Sequence, residues 1–475
     1  MKNKKIVSIV AGALAAVNVF SFAACQPKNS GTGAVEAYNG GAVTVSFYHT
    51  MGANLKAVLD KYIPKFNEQY PNITIDHEMV GDYPALRDQI ATELTAGNSP
   101  SLAYCYPDHV ALYNKAQAVM PMDGYIAHET MGLTDAQVAD FIDVYYNEGK
   151  SFGDGKMYTL PMTKSTEVLY YNKTFFTANN LPTPENLTWD QMEALCAQIK
   201  AIDPNCIPLG YDSEANWFIT MTEQLKSGYT TLDGDKFVFD TDANYAFVEE
   251  FRDWYKKGYV TTEEIYGSYT SGLFTEVGTK EDGTPKQRCY MCIGSSAGAS
   301  YQCPTEQTNE DGTSSYPFEV GIAMIPQADQ NNKKVIQQGP SLCMFKKADA
   351  QEMAAAWLFA KFLTTTVEFQ AEFSMTNGYT PVLKSVQDFA PYKAFLDAAD
   401  GNAKLQASSV KQTLAQKDYY YVSPAFNGSS AARDAVGALL QACFVNEPAA
   451  GQSVADFIKA EFKKSIDTLK YDYGY

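Results

Sequence analysis

At 475 residues the chain exceeds the roughly 250–300 residues that one hydrophobic core organises, so two or more domains are expected. A composition of 45% hydrophobic and 19% charged residues is that of an ordinary soluble protein. The formal charge of −18 sets the surface against nucleic acid phosphates and anionic lipid headgroups, which excludes both as general partners; a bound anion would need a local Arg or Lys.

Met1 to Lys5 carries three lysines, an apolar run follows from Ile6 to Phe20, and Ser21-Phe22-Ala23-Ala24-Cys25 closes the segment. A basic start, an apolar stretch too short to span and small residues after it make an export signal over residues 1–24 rather than a membrane anchor. Ala-Ala-Cys resembles the bacterial lipobox, with Phe22 in place of the usual Leu. That resemblance implies lipid attachment at Cys25; ordinary secretory cleavage after Ala24 is the alternative. Loss of residues 1–24 removes three lysines and no acid, taking the charge from −18 to −21. Residues 25–42 lack apolar periodicity and read as a flexible tether.

From Val43 the pattern is strand, helix, strand, helix. Val43, Val45 and Phe47 alternate with polar residues, and Leu55, Val58, Leu59, Tyr62, Ile63 and Phe66 recur at helical spacing, with a kink expected at Pro64. Ile73-Thr74-Ile75 reads as a strand, Leu86, Ile90 and Leu94 as one helix face, and residues 101–105 as an apolar strand. Repeated βα units of this size predict parallel pairing in a sheet covered by helices.

The middle of the chain adds helices over 189–201 and 243–257, with polar surface insertions at 281–287 and 304–316. Asp349 and Glu352 form a capping-box-like start to a helix through Trp357 and Phe362, and a later helix stops at Asn377-Gly378. The last hundred residues read as helical, with Arg433 near one helix start and residues 457–469 in another.

The stretch RCYMCIGSSAGASYQC at 288–303 holds two chemical motifs. Gly294 to Gly298 matches the G-x-S-x-G nucleophile elbow, which would make Ser296 a hydrolase nucleophile. All four histidines, at 49, 77, 109 and 128, precede it, whereas that motif's base follows the serine. Cys289 and Cys292 have zinc-knuckle spacing and Cys303 could be a third ligand, but no second C-x-x-C or nearby His completes a tetrahedral set. Neither a phosphate-cradling loop nor a metalloprotease motif occurs, so no metal and no cofactor are expected. Eight cysteines after Cys25 permit many pairings, and free buried thiols are an equal alternative. A tethered α/β chain with 32 Tyr and 4 Trp points to binding rather than turnover, since these rings offer stacking faces with a polar handle.

Seven blocks carry a resemblance: Phe47-Tyr48-His49-Thr50-Met51, FNEQYPNI at 66–73, TAGNSPSL at 95–102, STEVLYYNKTFF at 165–176, TWDQM at 188–192, AWLFAKFLTT at 356–365 and GYTPV at 378–382. In these the chain resembles the extracellular solute-binding proteins of ABC importers, nearest the glycerol-3-phosphate and glycerophosphodiester binders. The resemblance implies an α/β fold of two lobes joined by a multi-strand hinge, with ligand in the cleft. By analogy, lobe 1 takes residues 43–159, lobe 2 takes 160–322, the chain returns to lobe 1 over 323–378, and 379–475 complete lobe 2.

The same resemblance implies ligand contacts from Tyr83, Ser165, Ser295, Ser296, Gly339 and Tyr379, an aromatic wall at Trp217, and a phosphate grip by Arg433. Where those binders carry a glutamate for the glycerol hydroxyls, this chain has Pro107, with Asp108 beside it. A guanidinium with tyrosine and serine hydroxyls suits a phosphate or polyol. The implied partners are a small polar solute and ABC permease transmembrane subunits, with the membrane touched through the lipid anchor only. The implied location is the outer face of the cytoplasmic membrane, periplasmic or extracellular. A surface hydrolase using Ser296 and a solute sensor without a transporter are the rival functions.

Overall fold

A computed structural model describes residues 35–281, 283, 284 and 286–475; the export signal and Cys25 lie outside the described residues. Two sheets organise the chain. The first runs, in spatial order, Ile73–Met79, Val43–His49, Leu102–Cys105, Ser341–Met344 and Thr159–Pro161. Its first three strands pair in parallel, as the βα repeat requires, and the last two join antiparallel. Val45 and Phe47 point into a core filled from the helices Ala53–Gln69 and Ala350–Thr365, where the Trp357 indole stacks on Tyr125 at 5.7 Å.

The second sheet is built on the fully buried strand Ser165–Asn172. Met291–Ser295, Val335–Gln338 and Val320–Ala323 pair antiparallel with it, and Leu209–Tyr211, Val260–Thr262 and Tyr420–Tyr421 extend the sheet. Helices Trp189–Ile202, Glu214–Leu225, Asp242–Lys256, Ser429–Val445 and Val454–Tyr473 supply its core. A strand buried on both faces cannot alternate, which is why VLYY at 168–171 is a continuous apolar run.

Local signals mostly hold. Helix Ala53–Gln69 runs on through Pro64, which is exposed. Thr188 and Gln191 close a full capping box, whereas Asp349 caps its helix alone. Glu352, expected to reach back to that cap, instead accepts from the Ser101 hydroxyl at 2.6 Å, because a buried hydroxyl has no water to turn to. Gly378 adopts φ +88° at the helix end, in the left-handed region the stop signal requires.

Three expected boundaries move. Residues 35–42, read as tether, are held on lobe 1. There the Asn39 N–H donates to Gln351 Oε1 at 2.8 Å, Asn72 Nδ2 donates to the Gly40 carbonyl at 2.7 Å, and the Tyr38 ring meets Tyr70 edge-on. Phe141, Ile142 and Tyr145, assigned to lobe 1, pack in the second core. The return expected near Ile322 comes later, since Val320–Ala323 and Val335–Gln338 both pair with Ser165–Asn172 and the first sheet is rejoined only at Ser341.

The chain therefore crosses between sheets at 162–164, at Gly339–Pro340 and after Gly378. The crossings meet at Lys164, whose backbone exchanges hydrogen bonds with Thr380 at 3.0 and 2.7 Å. Its fully buried ammonium pairs with Glu148 and donates to Ser341 Oγ at 3.1 Å, and Gln337 Nε2 donates to the other Glu148 oxygen at 2.9 Å. These added hydrogen bonds offset the cost of taking both charges out of water. Gly339, at φ +95°, lets the second crossing lie against the first: a Cβ there would stand 2.7 Å from Lys164 Cα.

Candidate functional site

A cavity of about 300 Å³ opens where the lobes face each other. Lobe 1 contributes Tyr83 and Arg87 from helix Tyr83–Ala96, and Tyr106, Asp108 and His109 from the start of helix Pro107–Asn114. Asp82 caps the first helix by accepting from the Ala85 N–H at 2.9 Å, and Pro84 fits its first turn, so the sequence DYP sets Tyr83 at the helix start, on the cavity wall. The Tyr83 and Tyr106 rings lie 4.5 Å apart between centroids. Burial and the neighbouring Tyr379 push the Tyr83 phenol well above its ordinary value, so it stays a neutral hydroxyl.

From lobe 2 come Asn216, Gln337, Gln338, Tyr421 and Arg433. Ser213 caps helix Glu214–Leu225 by accepting from the Asn216 N–H, which turns the Asn216 amide toward the cavity. That amide is fully used. Its Nδ2 donates to Glu167 Oε1 at 2.9 Å and Gln338 Oε1 at 3.0 Å, while its Oδ1 accepts from Arg433 Nη1 at 2.6 Å and Gln338 Nε2 at 3.1 Å. Glu167 also accepts from the Tyr211 hydroxyl at 2.6 Å, and burial pushes its carboxyl up to about 7. Across the cleft, Arg433 Nε stands 3.5 Å from Asp108 Oδ2. Charge and hydrogen bonds thus run unbroken from Tyr211 through Glu167, Asn216 and Arg433 to Asp108.

Of the residues singled out in the sequence, Tyr83, Asp108 and Arg433 line this cavity. Ser165 is buried behind it, paired in register with Gln338, and Gly339 serves the hinge. Trp217 stands in the second core rather than on the wall, stacked on Tyr211 at 4.8 Å. Neighbours on a helix point about 100° apart, so Asn216 faces the cavity because Trp217 does not. Ser295 caps the 3-10 turn Ser296–Gln302, accepting from the Ala297 N–H at 3.2 Å, and Ser296 Oγ accepts from the Thr166 N–H at 3.1 Å. Tyr379 is half-buried beside Phe373. Asn216, Gln337, Gln338 and Arg87 were not singled out; Asn216 had a signal, two residues after a Ser-Glu helix start.

Cys289 and Cys292 are buried, and burial pushes both thiols well up. Cys292 Sγ lies 3.3 Å from Gln302 Nε2 and 3.2 Å from Thr270 Oγ1. The eight described cysteines are free thiols, and among the described residues no group of three or more His, Cys, Asp or Glu is placed to hold a metal. No helix among the described residues is long and apolar enough to cross a membrane.

The sn-glycerol-3-phosphate-binding periplasmic protein UgpB of Escherichia coli K12 is 24% identical over 365 residues, covering 75% of this chain and 78% of its own. Solved structures share the fold at lower identity. An ABC substrate-binding protein from Listeria monocytogenes in complex with cycloalternan aligns with TM-score 0.71 at 16% identity, over 91% of this chain and 100% of that one. UgpB from Mycobacterium tuberculosis in complex with glycerophosphocholine aligns with TM-score 0.69 at 15% identity, over 91% and 99%. Residues 61–403 match the family described as bacterial extracellular solute-binding protein, whose members bind rather than transform their solutes. With its two α/β lobes and the cavity between them, the chain belongs to that bacterial extracellular solute-binding family.

Proposed function

We propose that this protein captures a small polar solute, a carbohydrate or a glycerol-3-phosphate or glycerophosphodiester compound, and delivers it to the membrane subunits of an ABC importer. The observation that carries this reading is a cavity whose wall comes from both lobes, Tyr83 and Asp108 on one side and Asn216, Gln338 and Arg433 on the other. A solute touching both walls binds the closed arrangement better than the open one. It shifts the hinge equilibrium by that difference, and the permease reads the closed form. The relatives named for glycerol 3-phosphate, and the fold shared with proteins holding cycloalternan or glycerophosphocholine, support the solute class.

Thermal melting tests it, against glycerol 3-phosphate, glycerophosphocholine and a panel of neutral oligosaccharides. Ligand at about 1,000-fold over Kd stabilises the folded state by about 4 kcal/mol, a rise of several degrees. No rise with any member sinks the solute class. The family's extracellular setting supports an envelope location, and we extend it to a lipid anchor on Cys25. Cys25→Ser should then release the protein from membranes in fractionated cells, and continued sedimentation with membranes would refute the anchor. The Ser296 hydroxyl is buried and accepts from the Thr166 N–H, and among the described residues it has no hydrogen bond to a base that could take its proton, which supports binding over turnover.

A further inference from the structure

Both guanidinium groups on the cavity wall are already matched by carboxylates. Arg433 faces Asp108 at 3.5 Å and spends Nη1 on Asn216; Arg87 holds Asp434 Oδ2 at 2.9 Å and Asp88 Oδ1 at 2.8 Å. A phosphate brought to Arg433 would also meet the Asp108 carboxylate, and like charges so close in a cleft repel strongly.

The second observation concerns hydrogen bonding. Three buried polar atoms on cavity-lining residues have no hydrogen bond from the protein: Gln337 Oε1, His109 Nδ1 and Asp108 Oδ2, the last facing Arg433 Nε at 3.5 Å as an ion pair only. Gln337 and His109 are only 6% and 4% exposed. The Gln337 amide cannot be flipped, because its Nε2 already donates to Glu148, so Oε1 is an acceptor only. Asp108 Oδ2 is likewise an acceptor, while the imidazole can act either way. The wall therefore asks its occupant for hydrogen-bond donors. A phosphate monoester dianion offers acceptors at its charged end; hydroxyl groups offer both.

We infer that this cavity selects an uncharged, polyhydroxylated solute over phosphate esters, and that Asp108, by neutralising Arg433, is the residue that sets the selection. The inference rests on the reading of the cavity as the solute site and narrows it.

The test is isothermal titration of the wild-type protein and of Asp108→Asn with neutral oligosaccharides, glycerol 3-phosphate and inorganic phosphate. The wild type should bind a neutral member at least about 100-fold more tightly than either phosphate compound. Asp108→Asn, which keeps the side chain's shape, should gain at least about tenfold for glycerol 3-phosphate by unmasking Arg433. Should Asp108→Asn not fold, Asp108→Ser serves and should show the same gain of at least about tenfold for glycerol 3-phosphate, since it too removes the charge that masks Arg433. Phosphate esters binding the wild type as tightly as any neutral compound, or an affinity for them that does not rise in the folded Asp108 variant, would each overturn the selection while leaving the solute site standing. Silence from every compound would overturn both.

Discussion

His49, one of the four histidines that counted against a hydrolase, closes a directed chain at the end of the first strand. Its Nδ1 accepts from the Met51 N–H at 3.1 Å, so Nε2 carries the proton and donates to His77 Nδ1 at 3.0 Å; His77 Nε2 in turn meets Asp60 at 2.9 Å. Burial, then His77 and Lys56, push the His49 pKa from 6.5 down to about 4, against the opposing pull of Asp60. The unfolded chain takes up this proton below about 6.5 and the folded one only near 4, so the fold loses stability as pH falls through that window. Glu167 contributes with the opposite sign: its carboxyl is raised from 4.5 to about 7, and its share of stability is lost as pH rises through that range. Urea unfolding of His49→Gln against the wild type isolates the first effect. The stability gap between them should change steadily from pH 6.5 to 4, and a pH-independent gap would refute the assignment. At this scale the sequence named residue types well and directions poorly. Trp217 and Asn216 are adjacent, and only packing on Tyr211 decides which of them faces the cavity.

Two helices from opposite lobes meet beside the cavity, Tyr83–Ala96 and Ser429–Val445. Arg87 on the first reaches Asp434 at 2.9 Å and Ser430 Oγ at 3.1 Å on the second, forming a latch between lobes. Asp434 is 60% exposed, so the pair is worth about 0.5–1 kcal/mol rather than the value of a buried one. Arg87→Ala should weaken binding of every solute alike, by about two- to fivefold, because it acts on closure. Titration calorimetry measures that, and small-angle scattering of the unliganded variant should show a larger radius of gyration. A loss confined to one solute class would mean that Arg87 acts by contact instead. The elements themselves were largely legible: helices 189–201 and 243–257 fall within two residues of Trp189–Ile202 and Asp242–Lys256. Periodicity is a local property and survives folding. Glu352 escaped, since its hydroxyl partner Ser101 arrives from the distant segment that leads into strand Leu102–Cys105.

For the whole molecule, the sequence by itself determined an α/β chain of more than one core, its order of elements, an excess of acid over base, and, through seven ordered blocks, its likeness to solute-binding proteins. Those properties are carried by neighbours along the chain or by sums over it. Only the tertiary structure decided where the chain changes lobes, because Val320–Ala323 and Ser341–Met344 are alike as strands and differ in the partner each one finds. It alone brought Lys164, Glu148 and Ser341 into one buried hinge cluster, and set Asp108 against Arg433. In sequence, Arg433 is a free cation suited to a phosphate. In the fold it shares its charge with a carboxylate from the other lobe, and that pairing depends on a distance through space that no spacing along the chain encodes.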